Sequence, residues 1–325
     1  MAELAKKDMS ASERFMLKVV NEFSTGVGEV ALTKFQQRLA QNYFMAADTA
    51  LKMAEEKRLK KRDKQDPLPV TWANVNMEKL ARDVVALARI GLDPSQKNHI
   101  NLVPFKNNNT NKYDMSFLEG YRGIELKSSK YGLSVPDHVV VELVYTTDIF
   151  KSIKKDANHK YEEYEFEITD DFNRGTVKGG FYYHVYSDNP TKNKLVTMSL
   201  AEILKRRPQY ASTEFWGGEK DVWEKDPETG RNKKTGTVTV DGWFEKMCWK
   251  TVHRAAWSDI TIDSQKIDSD YLRLKELESA AERAEVEREI EENANTQTID
   301  ASFRDLADED QDVPVEPQAA GGAPF

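Results

Sequence analysis

Three cations on one helical face are the residues best placed to do chemistry. Lys246, Lys250 and Arg254 stand at i, i+4 and i+8, with His253 beside the last of them. At about 100° per residue they fall in one arc, while Phe244, Cys248, Val252, Ala255 and Ala256 fill the opposite one. Such a helix packs one face and turns a line of positive charge outward, either as an ordinary solvated surface or as a track for phosphates. Lys205-Arg206-Arg207 is a second cluster of cations. A third lies at Gly120-Tyr121-Arg122-Gly123, followed by Lys127 and Lys130. There the glycines permit either a close approach of phosphate to the backbone or simply a tight turn. Tyr121 can stack on a base or pack under that turn. Lysine and arginine release condensed counterions from a nucleic acid and bind it without reading its sequence.

A different chemistry is written in Asp114, Glu125 and Lys127. Two carboxylates and a lysine are the set with which a nuclease holds Mg2+ and activates water. The set works when Glu125 and Lys127 share a strand face, because alternation aims i and i+2 the same way. Here they follow the 120–123 turn and open a helix-like segment, where i and i+2 diverge. This Mg-dependent nuclease is the alternative reading, and the weaker one. Other catalytic classes lack their motifs. There is no GxxxxGK[ST] run for ATP and no G-x-S-x-G elbow, and the five histidines have no paired metal-ligand spacing. The lone cysteine, Cys248, falls on the apolar arc of its helix, which reads as core rather than nucleophile. The expectation is a non-catalytic nucleic-acid-binding protein that requires no cofactor, with Mg2+ entering only as a modulator.

These residues need elements to position them. Phe35, Leu39, Tyr43, Ala46, Ala50 and Met53 recur at helical spacing behind a cap at Thr33, and that helix stops before Asp66-Pro67-Leu68-Pro69. A second helix runs from Asn76, with Leu80, Val84, Leu87 and Ala88 on one face and Gly91 as its stop. Strands are expected over 100–105 and 113–118, then a helix over 124–131. Further strands are expected over 139–145, 161–168, 181–186 and 194–198. Helices over 200–207 and 242–257, the latter capped by Asp241, close the body, with a mobile loop over 217–236 between them. Strands and helices without regular alternation predict an α+β fold, a mainly antiparallel central sheet flanked by helices.

Charge divides the chain unevenly. Its 325 residues carry a formal net charge of −8, but residues 261–325 hold 6 Lys and Arg against 18 Asp and Glu, a net of −12. Residues 1–260 therefore carry +4. A mildly basic body points to an anionic partner, and the acidic end to a regulatory, protein-binding or solubilising tail. No apolar run is long enough to span a membrane, and the N-terminus lacks the apolar core of a secretory signal. With a single cysteine, a reducing, cytoplasmic setting is expected.

The order of the pieces carries a resemblance. Ile90-Gly91-Leu92-Asp93-Pro94, then Ile100-Asn101-Leu102-Val103-Pro104-Phe105, then Gly120-Tyr121-Arg122-Gly123-Ile124 resemble the RecT family of phage single-strand annealing proteins. Met198-Ser199-Leu200-Ala201-Glu202-Ile203 is similar to that family's strand-to-helix step. The run from Trp243 to Arg254 is similar to its W-x-x-M-x-x-K-T-x-x-R helix, with Met247, Lys250, Thr251 and Arg254 in register. The chain departs from the commoner pattern in a longer loop over 106–112, in the insertion over 217–236, and in Ala255-Ala256-Trp257. The resemblance implies ATP-independent annealing of complementary strands during phage recombination. It also implies binding of single-stranded DNA and the annealed duplex in a basic groove of a ring or helical filament. A variable C-terminal region would meet a phage exonuclease or the host single-strand binding protein.

Four segments follow from this reading. Residues 1–66 are a helical arm for oligomerisation, whose stripe of Phe35, Leu39 and Tyr43 is expected to pack on a neighbouring subunit. Residues 67–263 are the α+β annealing core, 264–295 an acidic helical segment and 296–325 a disordered acidic tail. In that tail Asp305, Asp308, Glu309, Asp310 and Asp312 precede a Pro324-Phe325 end similar to the C-terminal peptide of bacterial single-strand binding proteins. It can compete with DNA for the basic groove, dock on a partner, or serve solubility alone.

Overall fold

Asn76 opens the helix on which the first half of the molecule packs. Its side chain accepts from the Lys79 amide at 3.4 Å, and Gly91 ends the helix in the left-handed conformation at φ 98°. The structure, a computed structural model, describes residues 9–27, 33–60, 66–208, 211–225 and 232–293. Contacts group the chain into one unit up to Ala284 and a second from Glu285. The expected tail over 296–325 lies outside the described residues.

The first half runs α1 (Ala11–Val27), α2 (Lys34–Lys60), α3 (Met77–Ile90), β1 (Ile100–Asn107), β2 (Lys112–Glu119) and α4 (Tyr121–Tyr131). Thr33 caps α2 in a reciprocal box with Gln36, as its sequence suggests. β1 and β2 form an antiparallel hairpin with Ile100 opposite Glu119. Alternation buries Tyr113, Met115 and Phe117 of β2 against the helices. Phe15 and Val19 of α1, Tyr43, Ala47 and Leu51 of α2, and Leu80, Val84 and Leu87 of α3 complete one core with them.

That core corrects the expected oligomerisation stripe. Leu39 and Tyr43 are fully buried within the chain, and Tyr43 gives its hydroxyl to the Leu92 carbonyl at 2.9 Å. Only Phe35 of the three is exposed. Buried residues from both sides of the 66/67 boundary, Tyr43 and Leu51 of α2 among them, share one cluster with α3.

The second half follows in chain order as β3 (His138–Tyr145), β4 (Ile149–Ile153), β5 (Glu163–Glu167), β6 (Val177–Val185), β7 (Lys194–Ser199), α5 (Leu200–Leu204), α6 (Thr213–Trp216), β8 (Gly218–Lys225), β9 (Asn232–Val240) and α7 (Phe244–Ser258). β3, β6 and β7 make a three-stranded antiparallel sheet in the order β3-β6-β7. One face takes α7, through Cys248, Val252, Ala255 and Ala256. The other takes the β4–β5 hairpin, where Phe150 and Phe166 stand 4.7 and 5.4 Å from the Phe181 ring. α8 (Ser269–Asn293) then returns to the first half, burying Tyr271, Leu274 and Leu277 there. Its Arg273 grips Asp83 of α3 at 2.5 Å, while burial pushes the Asp83 carboxyl up to about 6. The fold is α+β with antiparallel sheets flanked by helices, as the element order predicts.

Three local expectations change. The helix over 200–207 ends at Leu204, because Pro208 disfavours helical geometry just before it, so Lys205-Arg206-Arg207 lies in the following turn. The mobile loop over 217–236 is instead the antiparallel hairpin β8–β9, whose tip, 226–231, lies outside the described residues. Asp241 does not cap α7. Gly242, at φ 63°, turns the chain after it, and Trp243 takes the cap position without a side-chain bond.

Candidate nucleic-acid interface

α7 presents its two faces as the spacing dictates. Cys248, Val252 and Ala256 are fully buried on the sheet, whereas Lys246 and Arg254 are exposed and Lys250 is half-buried. A rise of 1.5 Å per residue spreads the three cations over about 12 Å. Among the described residues no ion pair engages Lys246, Lys250 or Arg254, nor Lys205, Arg206, Arg207 or Arg122. Lys246 instead lies 4.8 Å from the centre of the Trp249 ring.

A second row, missed at the sequence level, runs beside the first. Trp249, His253 and Trp257 repeat at i, i+4 and i+8, about 60° around the helix from the cations. The rings touch in series: Trp249 to His253 at 4.9 Å and His253 to Trp257 at 6.3 Å. Tyr121 of α4 sets its edge against both Trp249 and His253, at 5.7 and 4.9 Å. The equal spacing of the two rows was the signal that could have found this seam.

Lys250 and Arg254 of the cation row line a groove of about 620 Å³ between the two halves of the unit. Asn98, Asn101, Gly120 and Tyr121 line it from the first half, and Arg206, Trp216, Lys250, Thr251 and Arg254 from the second. Tyr121, Arg206, Lys250 and Arg254, drawn from three separate sequence clusters, thus share one cavity. Lys205 and Arg206 continue into an adjoining cleft of about 400 Å³ beside β7. Arg207 stands 5.8 Å over the Trp216 ring instead.

The glycines of the 120–123 turn have a structural cause. A Cβ on Gly120 would sit 2.0 Å from the Asn98 carbonyl oxygen, and one on Gly123 would sit 2.3 Å from that of His99. The turn presses on the 98–99 backbone, where the Gly120 and Arg122 amides donate to the His99 and Asn98 carbonyls at 2.9 and 3.1 Å. Close packing, not phosphate approach, is what requires glycine there.

Other predicted site residues are placed differently. Lys127 is buried, its ammonium 2.6 Å from Glu119 and 2.5 Å from Glu278 of α8, so its charge is spent inside the protein. Lys130, at the far end of α4, donates to the Arg89 carbonyl at 3.0 Å and does not line the groove. Arg122 is exposed beside Glu125 and His253. His253 is buried, and burial, with Arg122 nearby, pulls its imidazole down to about 4. It is therefore neutral at pH 7 and supplies a ring surface rather than a charge.

The nuclease constellation does not assemble. Asp114, on β2, is held by Lys79 at 2.8 Å and by Asn76 and Asn107. Glu125 and Lys127 lie on helix α4, and Lys127 is committed to Glu119 and Glu278. Among the described residues no three acidic, His or Cys side chains cluster to hold a metal ion. Nor, among them, is any helix long and apolar enough to cross a membrane.

No curated protein and no solved structure matches the chain. The RecT family model matches residues 60–296, which include every residue lining the groove. With the family model covering most of the chain, this chain belongs to the RecT family of phage single-strand annealing proteins.

Proposed function

We propose that the protein binds single-stranded DNA along α7 and the groove beside it, and anneals complementary strands without ATP as part of an oligomer, ring or filament. The observation that carries this reading is the row of cations on α7 without ion-pair partners among the described residues, of which Lys250 and Arg254 line a groove with Arg206 and Tyr121. Two complementary strands repel each other through their phosphates. A protein that replaces the counterions of one strand with fixed Lys and Arg lowers the cost of bringing up the second. Contacts of this kind ignore base identity, so Watson–Crick pairing alone selects the partner strand. The chain's own residues do no covalent chemistry in this scheme, and Mg2+ acts at most on the DNA. The setting is the cytoplasm of a bacterial host, and the acidic C-terminal region is the segment offered to a phage exonuclease or to the host single-strand binding protein.

Replacing Lys246, Lys250 and Arg254 together with Ala tests the reading. Single-strand affinity should fall equally for all sequences. The slope of log affinity against log salt should shrink by about 2, at roughly 0.7 per lost single-strand contact. Annealing of labelled complementary oligonucleotides should slow in parallel. A slope that stays put would show that this face is merely solvated.

A further inference from the structure

At the head of α7 lies a second cleft, of about 630 Å³. Trp243 and Trp249 stand in its wall, with Lys246 between them in sequence, and Glu142, Tyr145 and Glu245 also line it. Trp243 is the anomaly. The side chain is 70% exposed, although an indole has more apolar surface to hide than almost any other side chain. Its neighbour Phe215, whose carbonyl accepts from the Trp243 amide at 2.8 Å, is 52% exposed.

The backbone holds this exposure in place. Gly217 and Gly242 both sit at positive φ, 72° and 63°, and they pack backbone to backbone. A Cβ on Gly242 would lie 2.5 Å from the Gly217 nitrogen, and one on Gly217 would lie 2.7 Å from the Asp241 carbonyl oxygen. Two glycines at positive φ thus clamp the end of α6 to the start of α7, fixing the backbone from which Trp243 projects at the cleft.

The charges of the cleft indicate which part of a nucleic acid fits. Glu142 and Glu245 line it, and Tyr145 bonds to Glu245. Arg174 is committed to Asp148 at 2.5 Å. Carboxylates repel phosphate, so the backbone is held at Lys246 on the cleft's wall and steered from there along Lys250 and Arg254, which do not line the cleft. What enters is the uncharged part of the strand. We infer that the cleft at the head of α7 takes an unstacked nucleobase against Trp243, so that each protomer pulls one base out of line where the strand meets the row of cations. This site rests on the single-strand-binding reading above. It adds that the protein holds bases apart as well as neutralising phosphates, a state from which re-pairing with a complement can start.

The test is binding of the full-length protein to a short single strand, and to the same strand carrying abasic sugars throughout. Trp243→Ala should weaken binding of the intact strand by about tenfold, the loss of roughly one stacked base. It should leave the salt slope unchanged and leave binding of the abasic strand unchanged. Trp243→Phe should restore most of the loss. Equal weakening on both strands, or a reduced salt slope, would overturn the base site in favour of a backbone contact. Unchanged short-strand binding with altered sedimentation would overturn it in favour of a subunit contact. If the unaltered protein shows no salt-sensitive single-strand binding at all, the annealing reading itself fails. If it binds normally and Trp243→Ala matches it, only the base site fails.

Discussion

Glu119 is the acidic residue among those that line the groove. It lines the cavity, its side chain is 8% exposed, and its Oε1 has no partner among the described residues. Burial pushes its carboxyl from 4.5 up to about 7, against the pull of Lys127, and Glu278 on α8 adds to the rise. The folded state therefore binds more protons than the unfolded chain between those two values, so this group erodes folding stability as pH rises from 4.5 to 7. A phosphate brought in by Lys250 and Arg254 raises the carboxyl further, so the DNA-bound form holds more protons still. Binding then takes up protons, and single-strand affinity should fall several-fold between pH 6 and 8, bounded by about tenfold per pH unit for one proton. Glu119→Gln should flatten that profile and bind more tightly than the parent at pH 8. Titrations that show identical profiles for the two proteins would place Glu119 outside the field of the DNA.

At the scale of elements, α4 and α7 make the site by touching. Tyr121 faces the groove only because the first turn of α4 presses on the 98–99 backbone. Gly120→Ala should therefore unseat the helix: its Cβ meets a backbone oxygen at 2.0 Å, with no flexible side chain to yield. A loss of about 3 kcal/mol is expected, read as a lower urea midpoint with an unchanged slope. Gly236→Ala, in β9 with nothing within 4 Å of the added carbon, is the matched control and should shift stability by less than about 0.5 kcal/mol. Comparable losses from both substitutions would mean that the 120–123 turn is not under the steric constraint described.

At the scale of the molecule, the N-terminal helices are structural. Phe15, Val19, Tyr43 and Leu51 are buried in one cluster with α3 and the β1–β2 hairpin, and Leu39 is fully buried as well. Each such side chain contributes about 1.5–3 kcal/mol on burial, so removing all five forfeits on the order of 10 kcal/mol, comparable to the stability of a whole domain. Deleting residues 1–62 should therefore give an aggregating or molten protein rather than a folded protomer with smaller assemblies. Circular dichroism and thermal melting read the outcome. A cooperative melt near that of the full chain would return these helices to the role of a detachable arm.

What the sequence by itself determined is what local periodicity encodes. The helix from Asn76 to Gly91, the alternating strand through Tyr113, Met115 and Phe117, and the two arcs of α7 each follow from spacings of a few residues, which set the faces before any tertiary contact forms. The order of motifs carried the family, and all four cation or tyrosine positions of the groove lay in clusters marked by their sequence. Only the tertiary structure decided which charges remain free. Lys127 and Lys250 look alike in sequence, but Lys127 meets Glu278 from 151 residues away, while Lys250 meets no carboxylate among the described residues. In the same way Leu39 and Phe35 share one stripe, yet Leu39 is buried within the chain and Phe35 is not. The groove, the packing that requires Gly120 and the exposure of Trp243 all arise where segments far apart in sequence come together. Local spacing carries no information about such meetings, because they are set by how two halves with separate cores close against each other.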